Sequence, residues 1–400
     1  MNRTLTFVVI TLVLDAMGFG LIMPVMPALL QEIGDIPLAD AALVGGVLST
    51  VFAVMLFVSG PLIGSLSDRF GRRPVLLGSL FVMALDYLIM ALAQTFWLLF
   101  IGRIIGGITA ATQSTATAVI ADISAPEEKA ARFGLVGAAF GVGFVLGPMI
   151  GGFLAEYGTR APFYAAAALA ALNMTFGYFV MPETVTDRTR RAFAWHRANP
   201  LGAFAHVSLN QHIRPLLLMF FLYQIAFNVY PVIWSYFTTE RFGWSESTIG
   251  LSLAAFGISM ALVQGGLIRL FLNGFGDRGT VLFGLIFNTG AFIILAIVTE
   301  GWMALLFTPI TALGAVVMPA LQGILSKMTA DDSQGELQGV LSSISALGMI
   351  LSPLLMSWVF ARFAGEGAPI YLPGAPFLVS ASLMVVCVAV FLPSMRVSRA

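Results

Sequence analysis

Charge is what this sequence has least of. Lysine, arginine, aspartate and glutamate make up 10% of its 400 residues, while hydrophobic residues reach 58%. An average soluble domain carries roughly 25% charge, so a water-soluble globular fold is excluded and the bilayer is left as the solvent. There is one cysteine, Cys387, so no disulfide forms within the chain. His196, His206 and His212 are the only histidines and fall in one polar stretch, which leaves a zinc enzyme without an HExxH pair. No GxxxxGK(S/T) loop is present to hydrolyse a nucleotide. The formal net charge is zero, which argues against a nucleic-acid partner.

What the sequence has instead is long apolar runs. A crossing needs about 20 mainly apolar residues, so the chain has room for roughly a dozen. In lipid the backbone must close its hydrogen bonds in helices or a barrel, and runs such as 76–93 and 375–392 lack the alternation of barrel strands. The fold class is therefore an all-α membrane protein. Breaking the runs at their polar interruptions predicts helices near 5–30, 41–66, 74–94, 96–118, 129–155, 162–181, 213–238, 246–272, 279–299, 301–325, 335–361 and 371–393. Arg3 and the run after it imitate a signal peptide, but Asp15 interrupts the run and no small-residue cleavage site follows, so it reads as the first span.

With both termini in the cytoplasm, sixteen basic residues fall inside, among them Arg188, Arg191, Arg197 and Arg399. Arg160, Arg241 and Arg362 fall outside, and Arg103 is left in the membrane. The positive-inside rule thus predicts an even helix count and this orientation. Two features recur 205 residues apart: Gly143–Pro148 as Gly348–Pro353, and Phe70-Gly71 as Phe275-Gly276. They point to a duplicated six-helix unit, with bundles at 1–181 and 213–400 and a cytoplasmic linker at 182–212, and with substrate binding where the bundles meet.

The segment GSLSDRFGRRP at 64–74 resembles the signature loop of the major facilitator superfamily. GVGFVLGPMIGG at 141–152 is similar to the motif of that superfamily's drug:proton antiporters. GRIIGGITAAT around Arg103 adds to that resemblance, and LDAMGFGLIMPVMP at 14–27, ALDYLIMA around Asp86, MPALQGILS at 318–326 and GELQG at 335–339 resemble the tetracycline efflux proteins, so the resemblance spans nearly the whole chain. It implies twelve helices in two pseudo-symmetric bundles, efflux of a small amphipathic drug by alternating access, and a place in a bacterial inner membrane. Three positions depart from that pattern: Asn288 replaces an acid, Met260 a histidine carried by some, and Gln31 an arginine carried by several.

Of the 20 acidic residues, only Asp15 and Asp86 fall well inside predicted helices. A charge at a helix centre costs about 2.5–3.5 kcal/mol on insertion scales, so each needs a reason. A carboxyl taken out of water keeps its proton nearer neutral pH, as a proton carrier must; a structural hydrogen bond is the alternative. Arg103 is the one interior cation, and Gly107, Ala110, Ser114 and Thr117 continue its face as a small, polar strip with Gln113 beside it, which reads as a cavity wall. Arginine does not release its proton, so Arg103 would tune a carboxylate or meet a substrate anion.

The second half offers neutral amides, Gln224, Asn228, Gln264, Asn288 and Gln322, as substrate contacts or as glue between helices. Phe140, Phe144, Phe256 and Met318 could complete an apolar pocket. In the signature loop, Gly64, Asp68, Arg69, Gly71, Arg72 and Arg73 read as a cytoplasmic gate, with Asp68 facing a helix N-terminus of the other half and Arg72 reaching Asp122. Gly143, Gly147 and Gly151 with Pro148 read as a hinge or sliding contact between the halves.

The expected cycle needs no cofactor. A lipophilic compound binds from the cytoplasm, the halves rock, and the proton gradient returns the carrier through Asp15 or Asp86. The implied partners are protons, the lipid bilayer and the small molecule, with the chain acting as a monomer. An exporter of other drugs or metabolites, a proton-coupled uptake symporter and a transport-inactive sensor stay open, while an enzyme is not expected.

Overall fold

The computed structural model describes residues 3–110, 112–125, 127–186, 190, 213–330, 333–365 and 367–396. Most of the linker, the three histidines, and Arg188, Arg191, Arg197 and Arg399 lie outside the described residues. The helices are α1 (Arg3–Ile22), α2 (Met26–Gly34), α3 (Leu38–Phe70), α4 (Arg72–Leu92), α5 (Phe96–Thr109), α6 (Thr112–Ile123), α7 (Lys129–Ala155) and α8 (Ala161–Val180). They continue as α9 (Arg214–Phe227), α10 (Val229–Phe242), α11 (Glu246–Leu262), α12 (Ile268–Ile297), α13 (Gly301–Thr311), α14 (Val317–Lys327), α15 (Gln334–Ala364) and α16 (Ala375–Arg396). No strand occurs among the described residues.

Eleven helical stretches among the described residues are long and apolar enough to cross a membrane. One of them, Glu246–Ile297, runs for 52 residues, more than twice what a bilayer core requires. It is broken at Gly276, whose φ of 67° and ψ of 176° are not helical, and so provides two crossings. The protein is a multi-pass, all-α membrane protein, with twelve crossings among the described residues.

Local chemistry explains where the helices differ from the expected ranges. The first span does not run from 5 to 30 as one helix, because Pro24 has no N–H and its ring opposes the preceding turn, so the chain turns at 23–25 and restarts with Pro27 inside the new first turn. The fourth span reaches Ile123, five residues further than expected, across a break at Ala110. The seventh divides at Asn228. In the tenth, Pro309 is followed by a tight 3₁₀ turn over Ala312–Val316. The last helix starts at Ala375 and not near 371, after Pro373 and Gly374.

Two compact units result. The first comprises residues 1–36, 51–202 and 245–254, the second 37–50, 203–244 and 255–400. In the first unit α1 packs on α7 and α8, and α4 packs on α5 and α8. The opening turns of α11 belong to this unit, where Gly250 lies against the Pro148 carbonyl. In the second unit α9 and α12 pack on α16 around an aromatic core of Tyr230, Trp234, Phe256, Phe292 and Phe377, with Tyr230 and Phe256 centroids 4.9 Å apart. The opening turns of α3 belong here, where Thr50 donates to the Ile350 carbonyl at 3.0 Å and Gly46 lies against Pro353 and Ser357. Pro148 and Pro353, 205 residues apart, thus each meet a glycine of another helix.

Candidate functional site

α1, α4 and α5 bring the three interior charges into the first unit. The Thr95 side chain accepts the Leu98 N–H and so starts α5, placing Arg103 two turns in. Its guanidinium lies 3.9 Å from Oδ2 of Asp86, donates to the Met90 sulfur one turn along α4, and sits 5.4 Å from the centre of the Phe52 ring. Asp86 is 1% exposed and Arg103 7%. The room for that carboxylate comes from α5: a Cβ on Gly102 would lie 3.0 Å from Asp86 Oδ1, and one on Gly106 would lie 2.5 Å from Oδ2.

The Asp86–Arg103 pair is incompletely satisfied. Oδ1 of Asp86, Nε of Arg103 and both carboxylate oxygens of Asp15 are buried without a hydrogen-bond partner. Arginine stays charged, so the groups free to change charge here are the carboxyls, and the cation fixes the field in which they do so. Gly102, Gly106 and Met90 escaped the sequence reading. Their signal was the spacing of four, Gly102 to Gly106 beside Arg103 and Asp86 to Met90.

The strip beyond Arg103, expected to wall a cavity, is only partly exposed. Gly107 packs into the backbone of Phe52 and against Met55, a close helix contact, whereas Gln113 and Ser114 are exposed. Phe140 is exposed and stacks on Phe144 with centroids 6.3 Å apart. In the second unit Gln264 and Gln322 are exposed, Met260 and Met318 half-buried. Gln264 lies in the π-helical turn Val263–Leu267, a distortion that marks functional positions more often than ordinary helix does. Gln224 and Asn228 flank the break of the seventh span, where the Asn228 amide donates to the Gln224 carbonyl at 2.8 Å.

Two residues expected to meet substrate are packed within the second unit. Asn288 is fully buried, and its amide donates to the Gly314 carbonyl at 3.1 Å, beside the Tyr223 hydroxyl bound there at 3.3 Å. Phe256 lies in the aromatic core.

The signature loop forms a closed ionic cluster. Arg72 pairs with Asp68 at 2.6 Å and Asp122 at 3.2 Å and donates to Ser67. Asp68, expected to face a helix N-terminus, is thus engaged one turn along its own chain. Glu183, which the sequence reading missed in the Pro-Glu-Thr step after the sixth span, accepts the backbone N–H groups of Arg72 and Arg73 at 2.9 and 3.2 Å and so caps α4. Gly71 has φ of 108° and a Cβ there would strike this carboxylate, so both conformation and contact demand glycine. Arg73 donates to the Tyr178 carbonyl, Arg69 lies over the Phe70 ring, and Gly64 faces open space.

The hinge glycines also find partners inside their own unit. Gly143, Gly147 and Gly151 meet the α1 backbone at Val13, Met17 and Leu21, so the spacing of four serves a close packing of α7 on α1 and not a contact between halves. Pro148 sits within α7. In the second half, Gly348 meets Gln224 in the same way.

Comparison places the chain among known transporters. The pattern described as Major Facilitator Superfamily matches residues 8–270 and again 216–399. The class C tetracycline resistance protein of Escherichia coli is 40% identical over 395 residues, 99% of this chain and 97% of that protein. The class B protein of Escherichia coli is 36% identical, covering 90% and 89%. Among solved structures, the human organic anion transporter MFSD10 (TETRAN) aligns with a TM-score of 0.70 at 26% identity, covering 97% and 99%. The nucleoside transporter NupG aligns at 0.79 and 14% identity over 99% and 100%, a likeness of fold alone.

Proposed function

This chain belongs to the major facilitator superfamily, and from that membership we propose that it exports a tetracycline-type compound across a bacterial inner membrane in exchange for protons. The observation that carries the reading is the set of buried carboxylate oxygens without a hydrogen-bond partner, both of Asp15 and Oδ1 of Asp86, the latter acid paired through Oδ2 with Arg103, in a chain with tetracycline resistance proteins for relatives. A buried carboxylate without donors is costly, and a proton removes the cost. Loading and unloading that proton is the step we assign to Asp15 and Asp86, with Arg103 holding Asp86 in place and no cofactor involved. The proton gradient supplies the energy, about 2.3 kcal/mol per charge for each 100 mV.

Export proceeds by alternating access: the compound enters from the cytoplasm, the carrier turns outward, and protonation resets it. Gln113, Ser114 and Phe140 on the first unit and Gln264 and Gln322 on the second are exposed side chains that suit an amphipathic substrate, and Gln224, Asn228 and Met318 of the second unit are half-buried candidates. Everted vesicles test the core of this. Asp15→Asn should abolish proton-driven tetracycline accumulation, and a variant that accumulates drug at the wild-type rate removes Asp15 from the mechanism.

Asn288 favours a second reading. Its side chain is engaged with Gly314 where related efflux proteins are expected to carry an acid, which fits the same machinery working on a different amphipathic compound. Susceptibility of cells expressing the chain, tetracyclines against unrelated dyes, separates the two.

A further inference from the structure

Asp15 is the buried acid with no partner at either oxygen. Leaving such a group bare when ionised forfeits its hydration, so a donor within reach should engage it. The elements around it offer few. Arg3 begins α1, Asp122 ends α6, Lys129 and Arg132 stand at the start of α7, and Asp40, Asp68 and Arg69 are at the ends of α3. Tyr164 and Tyr178 of α8 are exposed, Glu32 of α2 is bound to Thr159 and Arg160, and Arg103 of α5 is already held by Asp86, Met90 and Phe52.

Tyr87 on α4 is different. It is 8% exposed, follows Asp86 in the chain, and its ring carbon Cζ would lie 3.1 Å from a Cβ on Gly18, with the hydroxyl closer still. Helical side chains lean toward the N-terminus, so the space over Gly18 lies above the turn that carries Asp15. The phenol thus crosses from α4 into a gap on α1 that only glycine leaves.

We propose that Tyr87 is the positioning residue that joins the two acids: its hydroxyl donates to Asp15 when that carboxylate is ionised and lets go when Asp15 is protonated, tying α1 to α4 in one state only. This rests on the proton-coupled reading above. It makes protonation of Asp15 a change in helix packing as well as in charge.

Infrared titration of the purified full chain reads it directly, because a protonated carboxyl has its own carbonyl band, and Asp15→Asn and Asp86→Asn assign which band is whose. Tyr87→Phe, which keeps the ring, should move the Asp15 midpoint by about one pH unit, a tenfold change in proton affinity. Gly18→Ala, whose methyl displaces the phenol, should do the same, and the double variant should add nothing further. An unmoved Asp15 midpoint in Tyr87→Phe overturns the proposal, as does a shift in Gly18→Ala alone. Proton release from the wild-type protein on adding tetracycline is measured alongside. If the titration shifts but no proton is released, the hydrogen bond stands while the coupling reading, and the switch built on it, falls.

Discussion

Asp86 tolerates the membrane interior because one cation and two missing side chains are arranged around it. Gly102 and Gly106 let its carboxylate lie against α5, and Arg103 meets it at 3.9 Å. Gly106→Ala would put a methyl 2.5 Å from Oδ2 and push the carboxylate off the guanidinium, so transport should fall at least tenfold while the protein stays folded by circular dichroism. Wild-type transport in that variant would mean the pair is not needed. Outside the membrane, Glu32 accepts from Thr159 at 2.5 Å and pairs with Arg160 at 3.2 Å, while Arg160 also donates to the Ala91 and Ala93 carbonyls. The Thr159 hydrogen bond, with the Arg160 contacts, outweighs burial and holds its carboxyl below the usual 4.5. A lowered folded value stabilises above the unfolded one and is lost as pH falls through the folded value. The wild-type protein should therefore lose melting temperature below about pH 4.5 more steeply than Glu32→Gln, and parallel curves would dismiss the contribution.

At the scale of elements, α7 and α1 behave as one packed pair. A methyl on Gly147 would lie 2.6 Å from the Met17 carbonyl and 2.8 Å from the Gly20 Cα, both backbone, so the helices must part; overpacking of this kind costs about 1–3 kcal/mol. Gly141 on the same helix faces open space, so Gly141→Ala should leave the melting temperature in detergent unchanged while Gly147→Ala lowers it by several degrees. Equal melting temperatures would show that the contact does not support the fold. The fold was legible in the sequence because hydropathy and positive charge are summed over many residues: twelve crossings were countable although Pro24, Asn228 and Gly276 break helices in ways no apolar run announces. The site was legible where a residue is costly by type, as at Asp15, Asp86 and Arg103. It was not legible where the information is geometric, since neither the engagement of Asn288 with Gly314 nor the reach of Glu183 back to α4 follows from any spacing along the chain.

Across the whole molecule the duplication goes further than its motifs. Arg72 pairs with Asp122 in the first unit, and 205 residues on from each stand Asp277 and Lys327, which pair in the second with the charges reversed. Gly71 and Gly276, at the same offset, both have positive φ. The second signature loop, which looks degraded because Asn273 stands where Asp68 would recur, therefore keeps its ionic contact by exchanging the partners. Looking for the same residue type at the same offset hides such an exchange; looking for a conserved pair reveals it. Both side chains of the second pair are partly exposed, so its effect on stability is small, and its effect should appear in transport. Asp277→Lys places two ammonium groups together and should reduce tetracycline efflux from cells several-fold at equal expression. Asp277→Lys combined with Lys327→Asp restores an opposite pair, now with the polarity of Arg72 and Asp122, and should recover most of the efflux. If the double variant is no better than the single one, the contact is incidental and the two loops are not equivalent parts of the carrier.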